Sequence, residues 1–160
     1  MSGYKLILKG IHHVYGNKGD EDTEAIRKID LNVRDGEFLA IVGASGCGKS
    51  TLLNIMCGMI EPTQGEVLID GESVSNGKHR IGYISQTDTL LPWRKIESNV
   101  ALGLEIEGMS KKERLEQARR MIALSGMEGF EKKYPHELSG GMRKRAVIIR
   151  ALVQNPDIIF

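Results

Sequence analysis

The chain has 160 residues and a mass of 17.7 kDa, about one domain by length and enough to bury a core. Its 22 Lys and Arg against 21 Asp and Glu leave a formal charge of +1, which excludes a strong basic field for gathering nucleic acid or anionic lipid. Apolar residues at 41% and charged residues at 27% are globular values, and no uncharged stretch is longer than that of residues 50–60, which is too short to span a bilayer.

At the amino terminus Lys5 and Lys9 bracket the short apolar run Leu6-Ile7-Leu8, so no secretory signal is expected. The segment from Gly16 to Glu24, with Asp20, Glu21, Asp22 and Glu24, reads as a solvated loop. Ile29, Leu31 and Val33 alternate with Asp30 and Asn32, the pattern of a half-exposed antiparallel strand, and Asp35-Gly36 supplies a turn. Phe38 to Val42 is apolar throughout and predicts a strand covered on both faces, as in a parallel sheet. Lys49 to Cys57 predicts a helix ended by Gly58. A turn at Pro62 to Gly65, a strand at Glu66 to Asp70 and a short strand at Arg80 to Ile84 follow.

From Ile96 the pattern turns helical. Ser110 and Glu113 have capping-box spacing, and Leu115, Ala118, Met121 and Ile122 share one face opposite a solvated face of Lys111, Lys112, Arg114 and Arg119. Gly140 to Val153 predicts another helix, stopped by Asn155-Pro156, and Ile158 to Phe160 begins a buried strand. Cys47 and Cys57 lack disulfide or zinc spacing and read as free thiols; His12, His13, His79 and His136 read as structural.

The chemistry concentrates in two glycine-rich loops. Gly43-Ala44-Ser45-Gly46-Cys47-Gly48-Lys49-Ser50 fits G-x-x-x-x-G-K-[ST], placed between an apolar run and a helix, as a phosphate-binding loop must be. The glycines let backbone N–H groups converge on phosphate oxygens, the helix adds its positive end, and Ser50 offers a hydroxyl to Mg²⁺. Lys49 dominates the electrostatics: one lysine–phosphate pair at ~4 Å and an effective dielectric of ~20 is worth on the order of 4 kcal/mol, against ~0.3–1 kcal/mol for a helix end. The bland alternative is a glycine turn.

The second loop, Leu138-Ser139-Gly140-Gly141, puts a hydroxyl and two glycines at a helix start, either a second anion site or an ordinary serine cap. Together the two loops resemble the nucleotide-binding domain of ATP-binding cassette (ABC) transporters, whose signature is LSGGQ; here Met142 stands in place of the glutamine. The resemblance implies an α/β fold of the P-loop NTPase kind: a RecA-like parallel-sheet core, an antiparallel β subdomain and a helical signature subdomain, incomplete at the C-terminus. It places the β subdomain and P-loop core in residues 1–95, the helical subdomain in 96–137, and the signature helix with the start of the Walker B strand in 138–160.

By the same resemblance Tyr15 stacks on adenine, and Thr51 joins Gly43 to Ser50 around the nucleotide. Gln86 reaches Mg²⁺ and the attacking water, while Ser139, Gly140 and Gly141 close on ATP held by another subunit. The implied cofactors are ATP and Mg²⁺, with Lys49 and Gln86 acting in catalysis and Ser50 and Gln86 at the metal. Implied partners are a second nucleotide-binding subunit in a head-to-tail dimer, an integral-membrane permease and an extracytoplasmic solute-binding protein, but no nucleic acid. The implied location is cytoplasmic, peripheral on the inner face of the cell membrane.

Leu90-Leu91-Pro92-Trp93-Arg94 and its surroundings are similar to the ATPases of nitrate, sulfonate and taurine importers, so the expected solute is a small anion. Trp93 either anchors the helical subdomain or touches a partner. Family members carry an Asp and a Glu just after the last strand and later a switch histidine, so these 160 residues alone are expected to be a fragment without hydrolytic activity. The rival readings are a non-transport ABC ATPase and a small-molecule P-loop kinase.

Overall fold

A computed structural model describes residues 3–16 and 22–160. The described residues form two compact units, divided between residues 79 and 80.

In the first unit, strands β1 (Tyr4–Tyr15) and β2 (Thr23–Arg34) pair antiparallel. Strands β3 (Gln64–Ile69) and β4 (Glu72–Ser73) extend them to a four-stranded antiparallel sheet in the order β2-β1-β3-β4. Period-two alternation buries Leu6 and Leu8 of β1, an irregularity in the pairing between Leu8 and Ile11 shifts the phase so that Ile11 and His13 are the buried pair beyond it, and Leu6 and Leu8 stand opposite Ile69 and Val67 of β3. The alternating run at 29–33 lies inside β2, in antiparallel pairing as its pattern predicts. Helix α1 (Lys49–Met56) buries Leu52, Ile55 and Met56, and Gly58 follows its end with φ +75°, a left-handed conformation that glycine adopts freely.

The acidic segment divides. Residues 17–21, with Asp20 and Glu21, lie outside the described residues, whereas Glu24 belongs to β2 rather than a loop. Its carboxylate accepts from Arg27 Nε at 3.1 Å and lies 3.2 Å from His12 Nε2. The Arg27 hydrogen bond holds Glu24 below the usual carboxylate range. The third strand also starts earlier than expected, at Gln64, because Gly65 accepts a φ of +91° where strand β1 passes too close for a side chain.

The main departure concerns Phe38 to Val42. The run is not a strand, and it is not covered: Phe38 is 93% and Val42 88% exposed. An all-apolar run signals a demand for burial on two faces but carries no information about which strand supplies it. Among the described residues no strand lies along it, since the antiparallel sheet ends at β2 and β4 and the other sheet has only two members.

In the second unit β5 (Ile81–Gly82) and β6 (Ile158–Ile159) pair in parallel, Ile81 opposite Ile158 and Gly82 opposite Ile159. The last strand is only half buried, with Ile159 46% exposed, because β5 occupies one of its edges and no second neighbour covers its face among the described residues. Helices α2 (Ile96–Val100), α3 (Leu102–Ile106), α4 (Lys111–Leu124) and α5 (Gly140–Leu152) enclose a core of Ile96, Val100, Leu104, Ala118, Ile122, Met127, Ala146 and Val147.

Ser110 caps α4 through its hydroxyl, accepting from the Glu113 N–H at 3.4 Å and donating to the Glu113 carboxylate at 2.6 Å. The basic face of α4 is not simply solvated. Arg119 Nε donates to the buried Glu97 carboxylate at 2.8 Å, and Arg114 reaches the Met109 carbonyl at 3.1 Å and Glu105 at 3.6 Å. A buried carboxylate is costly without a cation, so Arg119 is part of the packing of α2 against α4.

No helix among the described residues is long and apolar enough to cross a membrane.

Candidate functional site

The first loop opens α1. Gly48 is the residue before the helix, with φ +92° and no side chain to cap the helix end. A Cβ there would stand 2.5 Å from the Ala25 carbonyl oxygen on β2, so only glycine lets the loop lie against the strand. Gly46, at φ +79°, turns the loop in open space. The first helical backbone bond runs from the Leu52 N–H to the Gly48 carbonyl at 2.8 Å, which leaves the preceding N–H groups of Lys49, Ser50 and Thr51 outside the helical ladder. These orphan donors and the helix dipole give the opening the chemistry that suits an anion.

Lys49 folds back over this opening. Its Nζ donates to the Gly43 carbonyl at 2.9 Å and the Ala44 carbonyl at 2.6 Å, with Cys47 Sγ at 3.6 Å. The ammonium is thus held at the loop by neutral carbonyls, with no carboxylate among the described residues that a phosphate would have to displace. Ser45 and Ser50 are exposed on the same loop. Tyr15, at the end of β1, donates its hydroxyl to Thr51 Oγ1 at 3.2 Å, and the His13 ring meets it edge-on at 4.6 Å. The first unit therefore brings together Tyr15, the loop from Gly43 to Ser50, and Thr51.

The second unit holds Gln86, Ser139, Gly140 and Gly141. Ser139 caps α5, its hydroxyl accepting the Met142 N–H at 3.3 Å, while Gly140 and Gly141 are exposed. Met142 turns inward and packs partly buried against the helical core, so the apolar residue at this position adds to the packing of α5. Gln86 lies exposed in the loop after β5. It lines a cavity of about 430 Å³ together with Ser85, Asp88, Gly140, Arg143 and Val147.

Trp93 is 72% exposed, so it does not anchor the helical packing. That role falls to Asn99, fully buried and unnoticed in the sequence. Its Nδ2 donates to the carbonyls of Leu91 (3.0 Å), Arg94 (2.9 Å) and Lys95 (3.3 Å), and its Oδ1 accepts the Leu91 N–H at 2.7 Å. Trp93, Arg94, Lys95, Arg114 and Tyr134 line a second cavity of about 320 Å³. The Arg94 hydrogen bond to Glu105, at 2.7 Å, holds that carboxyl below its usual range. Sequence spacing also gave no sign of Arg143, which bonds both the Leu138 carbonyl and Asp88. Among the described residues no group of three His, Cys, Asp or Glu could hold a metal.

An uncapped helix opening from a glycine loop with a lysine folded over it, in an α/β chain, defines the P-loop NTPase class. The ABC transporter family model matches residues 26–160, and the chain belongs to that family. It is 43% identical over 155 residues to an uncharacterized ABC transporter ATP-binding protein, MJ0412, of Methanocaldococcus jannaschii, covering 97% of this chain and 58% of that protein. It is 40% identical over 149 residues to the taurine import ATP-binding protein TauB of Escherichia coli strain K12, covering 93% of this chain and 58% of that one. Among solved structures, the dimeric ATP-binding cassette MJ0796 bound to ADP and Pi superposes at a TM-score of 0.84 with 35% identity, covering 96% of this chain and 72% of that one. The chain thus spans a little over half the length of the curated relatives it matches.

Proposed function

We propose that the full-length protein is the ATP-binding and ATP-hydrolysing subunit of an ABC importer, coupling nucleotide binding and hydrolysis to solute entry through a membrane permease. The observation that carries this reading is Lys49, poised on neutral carbonyls over an uncapped helix start, in a chain that also has a serine-capped glycine loop at Ser139. The backbone N–H groups of the first loop and Lys49 bind the phosphates, and the exposed ring of Tyr15 stacks on the base. Ser139, Gly140 and Gly141 contact the nucleotide held by a second copy or a paralogous subunit, so ATP closes a head-to-tail dimer.

The oxygen donor that the first loop offers a cation is the Ser50 hydroxyl. So small a set suits Mg²⁺, which takes few protein ligands and keeps water and phosphate oxygens. When bound, the ion would supply charge neutralisation at the phosphates.

The exposed Trp93 and the cationic cavity beside it support a contact with the permease. In this reading the protein works at the inner face of the membrane, with a solute-binding protein on the far side. Similarity to the taurine import protein supports a small sulfonate-like or nitrate-like anion as the solute. Detergent extraction and affinity purification of the full-length protein test the reading. Recovery with an integral-membrane permease is the expected result; recovery with nucleic acid and no membrane protein would contradict it.

A further inference from the structure

We propose that Arg143 is a positioning residue that straps the Ser139 loop to the Gln86 loop, so that the arrangement of one sets the presentation of the other. Its guanidinium serves both loops at once: Nη1 donates to the Leu138 carbonyl at 2.7 Å, immediately before Ser139, and Nε lies 2.9 Å from Asp88 Oδ2, two residues after Gln86. Both are charge-assisted contacts of the strong kind. Asp88 is itself fixed, its Oδ1 accepting the N–H of the buried Leu90 at 3.0 Å.

A second arginine on the same helix makes a parallel attachment. Arg150 lies seven residues further along α5, about two turns and hence on the same face. It donates to the Thr89 carbonyl at 2.7 Å and to the Thr89 hydroxyl. The helix therefore grips consecutive residues, Asp88 and Thr89, with two guanidinium groups.

What makes Arg143 a strap rather than one contact among many is the cavity of about 430 Å³ that Gln86 and Gly140 both line. Packing does not fill the space between the two loops, and the guanidinium spans it. A shift of the Gln86 loop pulls on Asp88, and Arg143 passes that pull to the carbonyl preceding the cap of α5. The planar fork matters, because an ammonium is a single point charge and matches a carbonyl and a carboxylate less well.

The inference rests on the reading that Ser139 contacts nucleotide held by another subunit, and its test separates the two. In the full-length protein, Arg143→Gln and Asp88→Asn are each expected to leave ATP affinity of the monomer within about twofold, while weakening ATP-driven dimerisation on the order of tenfold. The double variant is expected to be no weaker than Arg143→Gln alone, since both changes cut the same strap. Arg143→Lys should recover part of the loss. Hydrogen exchange at Gly140 to Met142 should speed up in both single variants, a local effect that general destabilisation would spread over the unit. Ser139→Arg serves as the control and should abolish the dimer. If Ser139→Arg is monomeric but Arg143→Gln and Asp88→Asn dimerise like the parent, the strap is overturned; if Ser139→Arg also dimerises, the composite site falls and the strap with it.

Discussion

Replacing Asn99 should be among the most damaging single changes in the second unit. The amide is fully buried and makes four hydrogen bonds, all to the backbone between Leu91 and Lys95. The two N–H groups of the amide share three carbonyls, so at a net ~1 kcal/mol per neutral hydrogen bond Asn99→Ala costs about 3 kcal/mol, before counting the Leu91 and Arg94 carbonyls left without this donor. Asn99→Asp nearly preserves shape and keeps an acceptor for the Leu91 N–H, yet it places an oxygen where Nδ2 faced three carbonyls, and it buries a charge. It should therefore cost at least as much as Asn99→Ala, the reverse of what loss of volume alone would give. Urea denaturation of the full-length protein, with hydrogen exchange followed at residues 91–95, measures both effects. A cost below ~0.5 kcal/mol for Asn99→Asp, the range of ordinary surface changes, would refute the assignment of this side chain as the loop's anchor.

Tyr15→Ala should weaken ATP binding about tenfold through loss of stacking, whereas Tyr15→Phe, which loses only the hydroxyl bond to Thr51, should cost no more than a few-fold; calorimetry separates them. Gly65→Ala should destabilise the first unit by more than ~2 kcal/mol in denaturant, because the new Cβ would stand 2.4 Å from the Lys9 carbonyl at a φ of +91°. Glu105, held below its usual range chiefly by Arg94, contributes stability above the ordinary carboxylate pKa that is lost as pH falls through its lowered one. Glu105→Gln should accordingly be less stable than the parent at pH 7, with the gap closing in acid; a gap that persisted unchanged to pH 3 would contradict the ion pair with Arg94.

The features legible in the sequence are those whose causes are local. Ser110 with Glu113, Ser139 before its glycines, Gly58, and Asn155-Pro156 mark helix ends because each acts on backbone groups within a turn of itself. The alternation at 29–33 and the glycine spacing from 43 to 50 are local in the same sense. Phe38 to Val42 is not legible in this way, because its conformation depends on strands that a five-residue run cannot specify. Asn99 reads as one more polar residue, since its partners are backbone groups of an irregular loop up to eight residues away. Arg143 and Asp88 are 55 residues apart in the chain, and nothing in spacing joins them. Arg114 and Arg119 sit at solvated positions by helical period, yet the length of their side chains carries them to Glu105 and Glu97.

In the proposed function Lys49 is the full positive charge that the first loop directs at phosphates. Calorimetric titration of ATP into the full-length protein and its Lys49→Ala variant tests this most directly. With a contribution on the order of 4 kcal/mol, and ~1.4 kcal/mol per tenfold, the variant should bind at least a hundredfold more weakly, leaving no measurable heat at concentrations that saturate the parent. Equal affinity in the two proteins would contradict the assignment of this loop as the nucleotide site.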